Sequence, residues 1–341
     1  MSSSSLQPRK PSISVVIPCF NAERFVAAAI ASVLAQNWPD LEILVIDDGS
    51  SDLSAERVRH AFPEVKLVRQ SNQGVAAARN NGIRQAQGDW IAFLDADDIW
   101  LPGKLQAQWD ILNATPGTRM SYSAWHVWTS SESEPPPEYL AVLLSQASDS
   151  ARWSGASGWV YPQLLLDCVV WTSTVLAHRS VFSEIGLFDP SLRIGEDWEL
   201  WLRASRVTQI LRVPRPYALY RMHPASLTKS APDENGRSVV VGRALARWGY
   251  CSPDGGCARK ADVDRALARG WSQFASAHVM AGNFARARRA SLTALRSNFW
   301  QAHAWTMLIK SVAGSLFGGG ILERRRVARA IDALKPWGSK E

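Results

Sequence analysis

The sequence predicts an α/β fold: a mostly parallel, doubly wound central sheet flanked by helices, followed by a C-terminal all-helical extension. Three observations carry this. Apolar, β-branched runs alternate with helical patterns through the first third of the chain. The runs end in small or acidic residues, as strands do where an open sheet meets its ligand. Beyond Gly236 the composition turns Ala- and Arg-rich with helical periodicity.

Ser12 to Ile17 is β-branched, stops at Pro18 and reads as a buried first strand. A helix follows from Glu23-Arg24 to Gln36, with Phe25, Ile30, Val33 and Leu34 on its apolar side, and Asn37-Trp38-Pro39 ends it. Leu41 to Ile46 is a second buried strand that closes in Asp47-Asp48-Gly49-Ser50-Ser51-Asp52, where Ser51 or Asp52 can cap the next helix. Val65 to Arg69 is a third strand, and Gly74 to Ala86 an Ala-rich helix holding Arg79-Asn80. Trp90 to Leu94 is the fourth strand, ending abruptly in Asp95, Asp97 and Asp98.

Lys104 to Leu112 reads as a helix, Met120 to Trp128 as a strand pair, and Glu132 to Glu138 as a Pro-rich polar loop that breaks regular structure. Trp159 to Val170 reads as a helix, Trp171 to Ala177 as a strand, and Phe182 to Asp189 as a short helix ending at Gly186. In Gly195-Glu196-Asp197-Trp198-Glu199-Leu200-Trp201-Leu202-Arg203, the two Trp residues and Leu202 bury one helical face, while Glu196 and Asp197 occupy the first turn, where the helix dipole favours negative charge. Ile210 to Val213 and Tyr217 to Met222 read as two strands. Further helices are expected over 261–281, 284–296 and 301–312, with a short one over 321–334.

The polar start has no apolar signal region, and no apolar run reaches membrane-spanning length. Four scattered cysteines, Cys19, Cys168, Cys251 and Cys257, suit free thiols in a reducing cytosol better than a disulfide framework or a zinc site. From Asn235 to Glu341 there are 18 Lys+Arg and 6 Asp+Glu, a charge of +12; the rest of the chain has 20 and 25, or −5. Such asymmetry implies an anionic partner for the tail. Leu316, Phe317, Ile321, Leu322 and Val327 beside Arg324 to Arg326 suit an anionic membrane surface. No nucleic-acid-binding motif accompanies the charge, so nucleic acid is not expected. Gly282-Asn283-Phe284, Ala287 and Ala294 resemble one tetratricopeptide-type hairpin.

Crowded carboxylates repel one another unless a cation sits among them, and a hard divalent ion with oxygen ligands is the natural partner of Asp95, Asp97 and Asp98. Alone, each acidic pair also reads as a cap, a turn or a solvated helix end. Together the motifs go further. Val-Val-Ile-Pro-Cys-Phe-Asn, Val-Ile-Asp-Asp-Gly-Ser-Ser-Asp, Gly-Val-Ala-Ala-Ala-Arg-Asn-Asn-Gly, Phe-Leu-Asp-Ala-Asp-Asp and Gly-Glu-Asp-Trp-Glu-Leu-Trp-Leu-Arg stand in order, each at an element boundary. Over residues 12–228 the chain resembles the family 2 glycosyltransferases with the GT-A fold.

The resemblance implies a sugar transferred from a nucleotide-diphosphate donor, a UDP-sugar by preference, to a hydroxyl of a glycan or lipid-linked acceptor. It implies inversion at the anomeric carbon and an Mg²⁺ or Mn²⁺ cofactor that stabilises the leaving diphosphate. Carried over residue by residue, Asp97 binds the metal with His223 as a further ligand, and Asp95 contacts the ribose or metal. Asp48 hydrogen-bonds the base, and Phe20 stacks near it where Tyr is more usual. Pro18 and Asn21 complete that first loop. Arg79 bridges to the base or the Asp48 region, and Arg221 meets the diphosphate as a cation. Asp197 takes the acceptor's proton. Trp125, Trp128, Trp153 and Trp171 fall in the acceptor half, where sugars stack on indoles.

The implied organisation is a disordered N-terminus (1–11), a transferase domain (12–228) split into a nucleotide-binding half (12–98) and an acceptor half (99–228), a linker (229–236) and a helical region with a basic tail (237–341). The implied location is cytoplasmic, peripheral at the inner face of the membrane. Two competitors stand beside this reading. A nucleotidyltransferase of similar fold calls for a Gly-rich basic first loop, which Pro18-Cys19-Phe20-Asn21 is not. A non-catalytic nucleotide-sugar scaffold or sensor has no use for Asp197.

Overall fold

The computed structural model describes residues 10–146, 155–223 and 231–317. The elements run β1 (Ile13–Cys19), α1 (Val26–Leu34), β2 (Leu41–Asp47), α2 (Ser54–Ala61), β3 (Lys66–Arg69), α3 (Val75–Gln85), β4 (Trp90–Phe93), β5 (Ile99–Trp100), α4 (Lys104–Asn113), β6 (Met120–Thr129) and α5 (Pro137–Gln146). Then come α6 (Tyr161–Leu164), a 3-10 turn (Thr172–Thr174), β7 (Leu176–His178), α7 (Arg179–Ile185), α8 (Glu196–Ala204), β8 (Ile210–Met222), α9 (Gly236–Trp248), α10 (Lys260–Met280), α11 (Phe284–Ser297) and α12 (Ala302–Phe317).

All eight strands form one sheet in the order β3-β2-β1-β4-β7-β6-β8-β5. The first four are parallel neighbours, with Ile13 in register with Leu41 on one side and Trp90 on the other. Every residue of β1 is buried, as befits a parallel strand covered by helices on both faces. The strand order reverses at β1, so the crevice at its carboxyl end, beside β4, is a topological switch point. α3 packs closely enough on the sheet that a Cβ at Gly82 would stand 2.3 Å from Val16 Cγ1.

The second half of the sheet is mixed: β7 runs antiparallel to β4 and β6, and β8 runs parallel to β6 but antiparallel to β5. Here several sequence expectations are corrected. The expected strand pair at 120–128 is one ten-residue strand, and the two expected strands at 210–222 are one thirteen-residue strand. Pro214 and Pro216 lack N–H donors, and the β6–β8 register shifts where they fall, so the pairing reads as interrupted in the sequence while the strand continues. The expected helix at 159–170 shrinks to α6, and the expected strand at 171–177 becomes the 3-10 turn followed by β7. The Pro-rich loop yields to α5 at Pro137, a residue well suited to a first helical turn. α7 ends at Gly186, whose φ of 80° is the left-handed conformation expected there.

The chain divides into two compact units. The first holds residues 1–164, 168–223 and 252–254 and contains the whole sheet; the second holds 165–167, 224–251 and 255–341. Within the second, α10, α11 and α12 pack around Ala275, Val279, Ala287, Ala290 and Met307. Gly282, at φ 78°, turns the chain between α10 and α11. Cys251 and Cys257 form a disulfide, which overturns the expectation of unpaired thiols; the intervening Ser-Pro-Asp-Gly-Gly is a turn sequence that brings the two ends together. Cys19 and Cys168 are not joined in disulfides. Among the described residues no helix is long and apolar enough to cross a membrane. The expected short helix at 321–334, its Arg324 to Arg326, and Trp153 lie outside the described residues.

Candidate active site

Two loops frame the crevice at the switch point. After β1 the chain turns at Asn21, whose φ of 49° is left-handed, a conformation Asn tolerates. The Asn21 N–H donates to Ser50 Oγ (3.0 Å), and its side-chain oxygen accepts from the Ser51 N–H (2.9 Å). The Ala22 and Glu23 N–H groups donate to Ser54 Oγ (2.9 Å) and Asp52 Oδ2 (3.0 Å). The loop after β1 is thus tied to the loop after β2. Pro18 is buried within β1 and contributes shape rather than a polar contact. Phe20, in the loop after β1, is 51% exposed.

Asp47 and Asp48 divide their tasks. Asp47 accepts from Arg69 Nε (2.8 Å) and the Ser50 N–H (3.2 Å), which holds the β2 loop. Asp48 Oδ1 accepts from Gln70 Nε2 (2.8 Å) and the Gln73 N–H (2.9 Å), and Oδ2 from the Gly74 N–H (2.8 Å). Asp48 therefore also shapes the turn that starts α3, using three of the roughly four acceptor positions of a carboxylate.

The acids after β4 part company in the same way. Asp98 is buried and accepts from Ser173 Oγ (2.6 Å), the Arg221 N–H (2.9 Å) and Trp171 Nε1 (3.4 Å). Burial, with Asp97 and Asp95 adding, pushes its carboxyl well above the usual range. Asp98 is an internal tie between the β4 loop, the 3-10 turn and β8. Asp97 is partly exposed, and its Oδ2 lies 3.1 Å from His223 Nε2. The His223 ring packs against Phe25 at 4.9 Å.

Asp95 pairs with Arg79, whose two terminal nitrogens donate to Asp95 Oδ1 (2.6 Å) and Glu196 Oε1 (2.8 Å). Arg79, expected to bridge to the base or the Asp48 region, here joins the acids after β4 to those of α8. Burial works against the Arg79 charge, but Asp95, Glu196 and Asp197 outweigh it and hold the guanidinium firmly protonated. Burial raises the Asp95 pKa, and pushes Glu196 up to about 7 with Asp197 adding and Arg79 opposing.

Arg221, expected to meet the diphosphate, also makes internal contacts. It is 1% exposed; its Nε donates to Asp97 O (2.6 Å), Nη2 to Ser133 O (2.8 Å) and Nη1 to Glu132 O, and the guanidinium lies over Trp128 (4.3 Å) and Phe25 (4.6 Å). Three of its N–H groups donate to carbonyls, so it clasps the Asp97 loop. Trp128 is buried beneath it, while half-buried Trp125, Trp171 and Tyr220 form an aromatic row, with Trp171 6.0 Å from Trp125 and 4.3 Å from Tyr220.

Asp197 lies in the first turn of α8 after Gly195, whose φ of 86° allows the sharp entry. Its Oδ1 accepts from the Trp198 N–H (2.7 Å) and its Oδ2 from Thr172 Oγ1 (2.9 Å). Trp198 and Trp201 are buried core, as expected. Sequence reasoning missed Thr172 and Ser173 as site residues, because Trp171-Thr172-Ser173-Thr174 resembles any β-prone run; no local signal marked it. Among the described residues no group of three or more His, Cys, Asp or Glu side chains forms a metal cage. Asp97 and His223 are a pair of hard and borderline donors, which suits a divalent ion whose other ligands come from phosphate and water.

Comparison with known proteins bears on the family and the fold. Residues 14–149 match Glycosyl transferase family 2. An uncharacterized glycosyltransferase of Rickettsia conorii is 31% identical over 224 residues, 65% of this chain but 35% of that protein's length. One of Nostoc sp. is 30% identical over 224 residues, 64% of this chain and 67% of its own. The Escherichia coli UDP-Glc:alpha-D-GlcNAc-diphosphoundecaprenol beta-1,3-glucosyltransferase WfgD is 27% identical over 64% of this chain and 80% of its own. Two solved structures share the fold. They are Staphylococcus aureus TarS 1–349 in complex with UDP-GlcNAc (TM-score 0.56, 15% identity, 89% of this chain and 91% of that one) and the mannosyltransferase PcManGT from Pyrobaculum calidifontis in complex with GDP-Man and Mn²⁺ (0.50, 17%, 96% and 86%). With a GT-A sheet and its acids gathered at the switch point, the chain belongs to glycosyl transferase family 2.

Proposed function

We propose that this enzyme transfers a sugar, with inversion, from a nucleotide-diphosphate sugar to a hydroxyl of a glycan or lipid-linked acceptor in cell-surface polysaccharide synthesis. The observation that carries the reading is the separation of tasks among the acids. Asp97 faces His223, Asp197 is held apart by Thr172, and Arg79 links the two clusters through Asp95 and Glu196.

Phe20 offers its exposed ring to the nucleotide base beside Asn21, and Asp48 borders the same pocket edge. Asp97 and His223 would hold Mg²⁺ or Mn²⁺, which when bound would supply charge stabilisation for the departing diphosphate. Asp95, neutralised by Arg79, stands at the ribose. Asp197 accepts the proton of the attacking hydroxyl while that oxygen bonds to the anomeric carbon and the diphosphate leaves with its electron pair. Attack opposite the leaving group converts an α-linked donor to a β-linked product. Trp125, Trp171 and Tyr220 form the apolar platform for the acceptor. The names of WfgD and of the TarS complex favour a UDP-sugar and a lipid-linked acceptor. Peripheral attachment to an anionic membrane face rests on the basic residues beyond 317 and on exposed Leu316 beside them.

The test is a panel of nucleotide-sugars assayed for nucleoside diphosphate release with and without Mn²⁺. A metal-dependent signal from one donor is expected, and Asp197→Asn should lower transfer by about 10²-fold or more while donor binding persists. A chain that binds nucleotide-sugars but never turns them over is a sensor, and an Asp197→Asn variant with unchanged turnover removes Asp197 from its role.

A further inference from the structure

The 3-10 turn Thr172–Thr174 touches both halves of the acid constellation. Ser173 Oγ donates to Asp98 Oδ2 (2.6 Å) and accepts from the Asp95 N–H (3.1 Å), so one hydroxyl fixes the loop that carries Asp97. One residue earlier, Thr172 Oγ1 donates to Asp197 Oδ2 (2.9 Å). The turn itself is held from behind. Trp100 Nε1 donates to Ser173 O (2.6 Å), and Gln108 Nε2 donates to Thr174 O (2.9 Å). Lys104 Nζ, fully buried, donates to Gln108 Oε1 (2.6 Å) and lies 3.9 Å over the Trp100 ring. Thr172, Ser173 and Thr174 are at most 2% exposed, so the bracket is built into the core rather than laid over it.

We infer that Thr172 is a positioning residue for proton transfer: its hydroxyl, anchored through the buried 3-10 turn, fixes the Asp197 carboxylate relative to the loop that bears Asp97. The inference rests on the reading of Asp197 as the base. With Trp198 N–H on Oδ1 and Thr172 on Oδ2, both oxygens of Asp197 are oriented, and the side chain stays partly exposed. Freed of Thr172, the carboxylate can rotate about its side-chain bonds; a catalytic group that must be found in one orientation among several loses rate in proportion. The Ser173 contacts to the Asp95–Asp98 loop stay in place, so donor binding is spared.

The experiment compares Thr172→Val, of nearly the same shape without the donor, with Thr172→Ser, which keeps it. Using the panel's best donor, Thr172→Val should lower kcat by about 10-fold with an unchanged donor KM, and Thr172→Ser should stay within about twofold of the parent. A readout independent of turnover is the Trp198 amide proton resonance, whose partner is Asp197 Oδ1. It should move in Thr172→Val and return in Thr172→Ser. An unmoved resonance with parental kcat, or a Thr172→Ser variant as impaired as Thr172→Val, overturns the inference. If instead Asp197→Asn turns over normally, the role of Asp197 fails and not merely its positioning.

Discussion

Arg79 and Glu196 show how one buried pair sets the chemistry of its surroundings. The guanidinium is shared by two carboxylates from distant parts of the chain, and it is the cation through which the acid loop after β4 and the start of α8 meet. Burial still prevails at Glu196, whose carboxyl titrates near 7, above its ordinary 4.5. Between those values the folded protein keeps a proton that the unfolded chain has released. Stability from this group is therefore present below the unfolded pKa and falls as pH rises through about 7. Urea unfolding at pH 5, 6, 7 and 8 should show the parent losing more stability toward pH 8 than Glu196→Gln, which cannot ionise. Parallel pH profiles for the two proteins would disprove this titration.

At the scale of elements, α3 against β1 is the tightest packing near the site. Gly82 leaves no room for a Cβ beside Val16, so Gly82→Ala should destabilise by roughly 1–3 kcal/mol despite the gain in helix propensity, measured as a lower midpoint in chemical denaturation. Adding Val16→Ala should recover part of the loss, since neighbours in contact are not additive. The same elements show what a sequence discloses. β1, β2 and β4 were legible because a strand buried on both faces is a continuous apolar run, and β1 and β2 kept their boundaries to within a residue or two. α8 was legible because its Trp and Leu positions recur at helical spacing behind two acids. The mixed half was not. β8 carries two prolines, so its pattern reads as two strands, and its continuity depends on β6 alongside. The 3-10 turn has β-branched residues and no periodicity, and tertiary contacts to Thr172, Ser173 and Thr174 help to hold its shape. The site residues followed the same rule. Asp97 and His223, named together through the resemblance, lie 3.1 Å apart. The internal duties of Arg221 and Asp98 were hidden, because a side chain's partners far along the chain leave no mark on its neighbours in sequence.

Across the whole molecule, charge and chemistry are segregated. The acids of the proposed site all belong to the first unit, which holds the whole sheet, while residues 235–341 carry the excess of basic residues. Under the proposed function, such a division assigns the basic residues to an anionic membrane surface and the acids to the donor. Family membership is legible in the first unit alone; the helical unit contributes nothing to the matched residues 14–149.

The backbone N–H of Arg221 donates into a buried carboxylate, Asp98, near the C-terminal end of β8, where that strand still pairs with β6. That makes it a clock. An amide of this kind exchanges with deuterium only when Asp98 lets go, so its lifetime measures how often the acid loop comes apart from β8. In hydrogen exchange followed by NMR, the Arg221 amide should persist alongside those of β1, on the timescale of global unfolding. Exchange as fast as that of the exposed loop amides would mean that the loop opens on its own. The residue whose guanidinium holds carbonyls would then also report, in hours or in seconds, how permanent the architecture of the acids is.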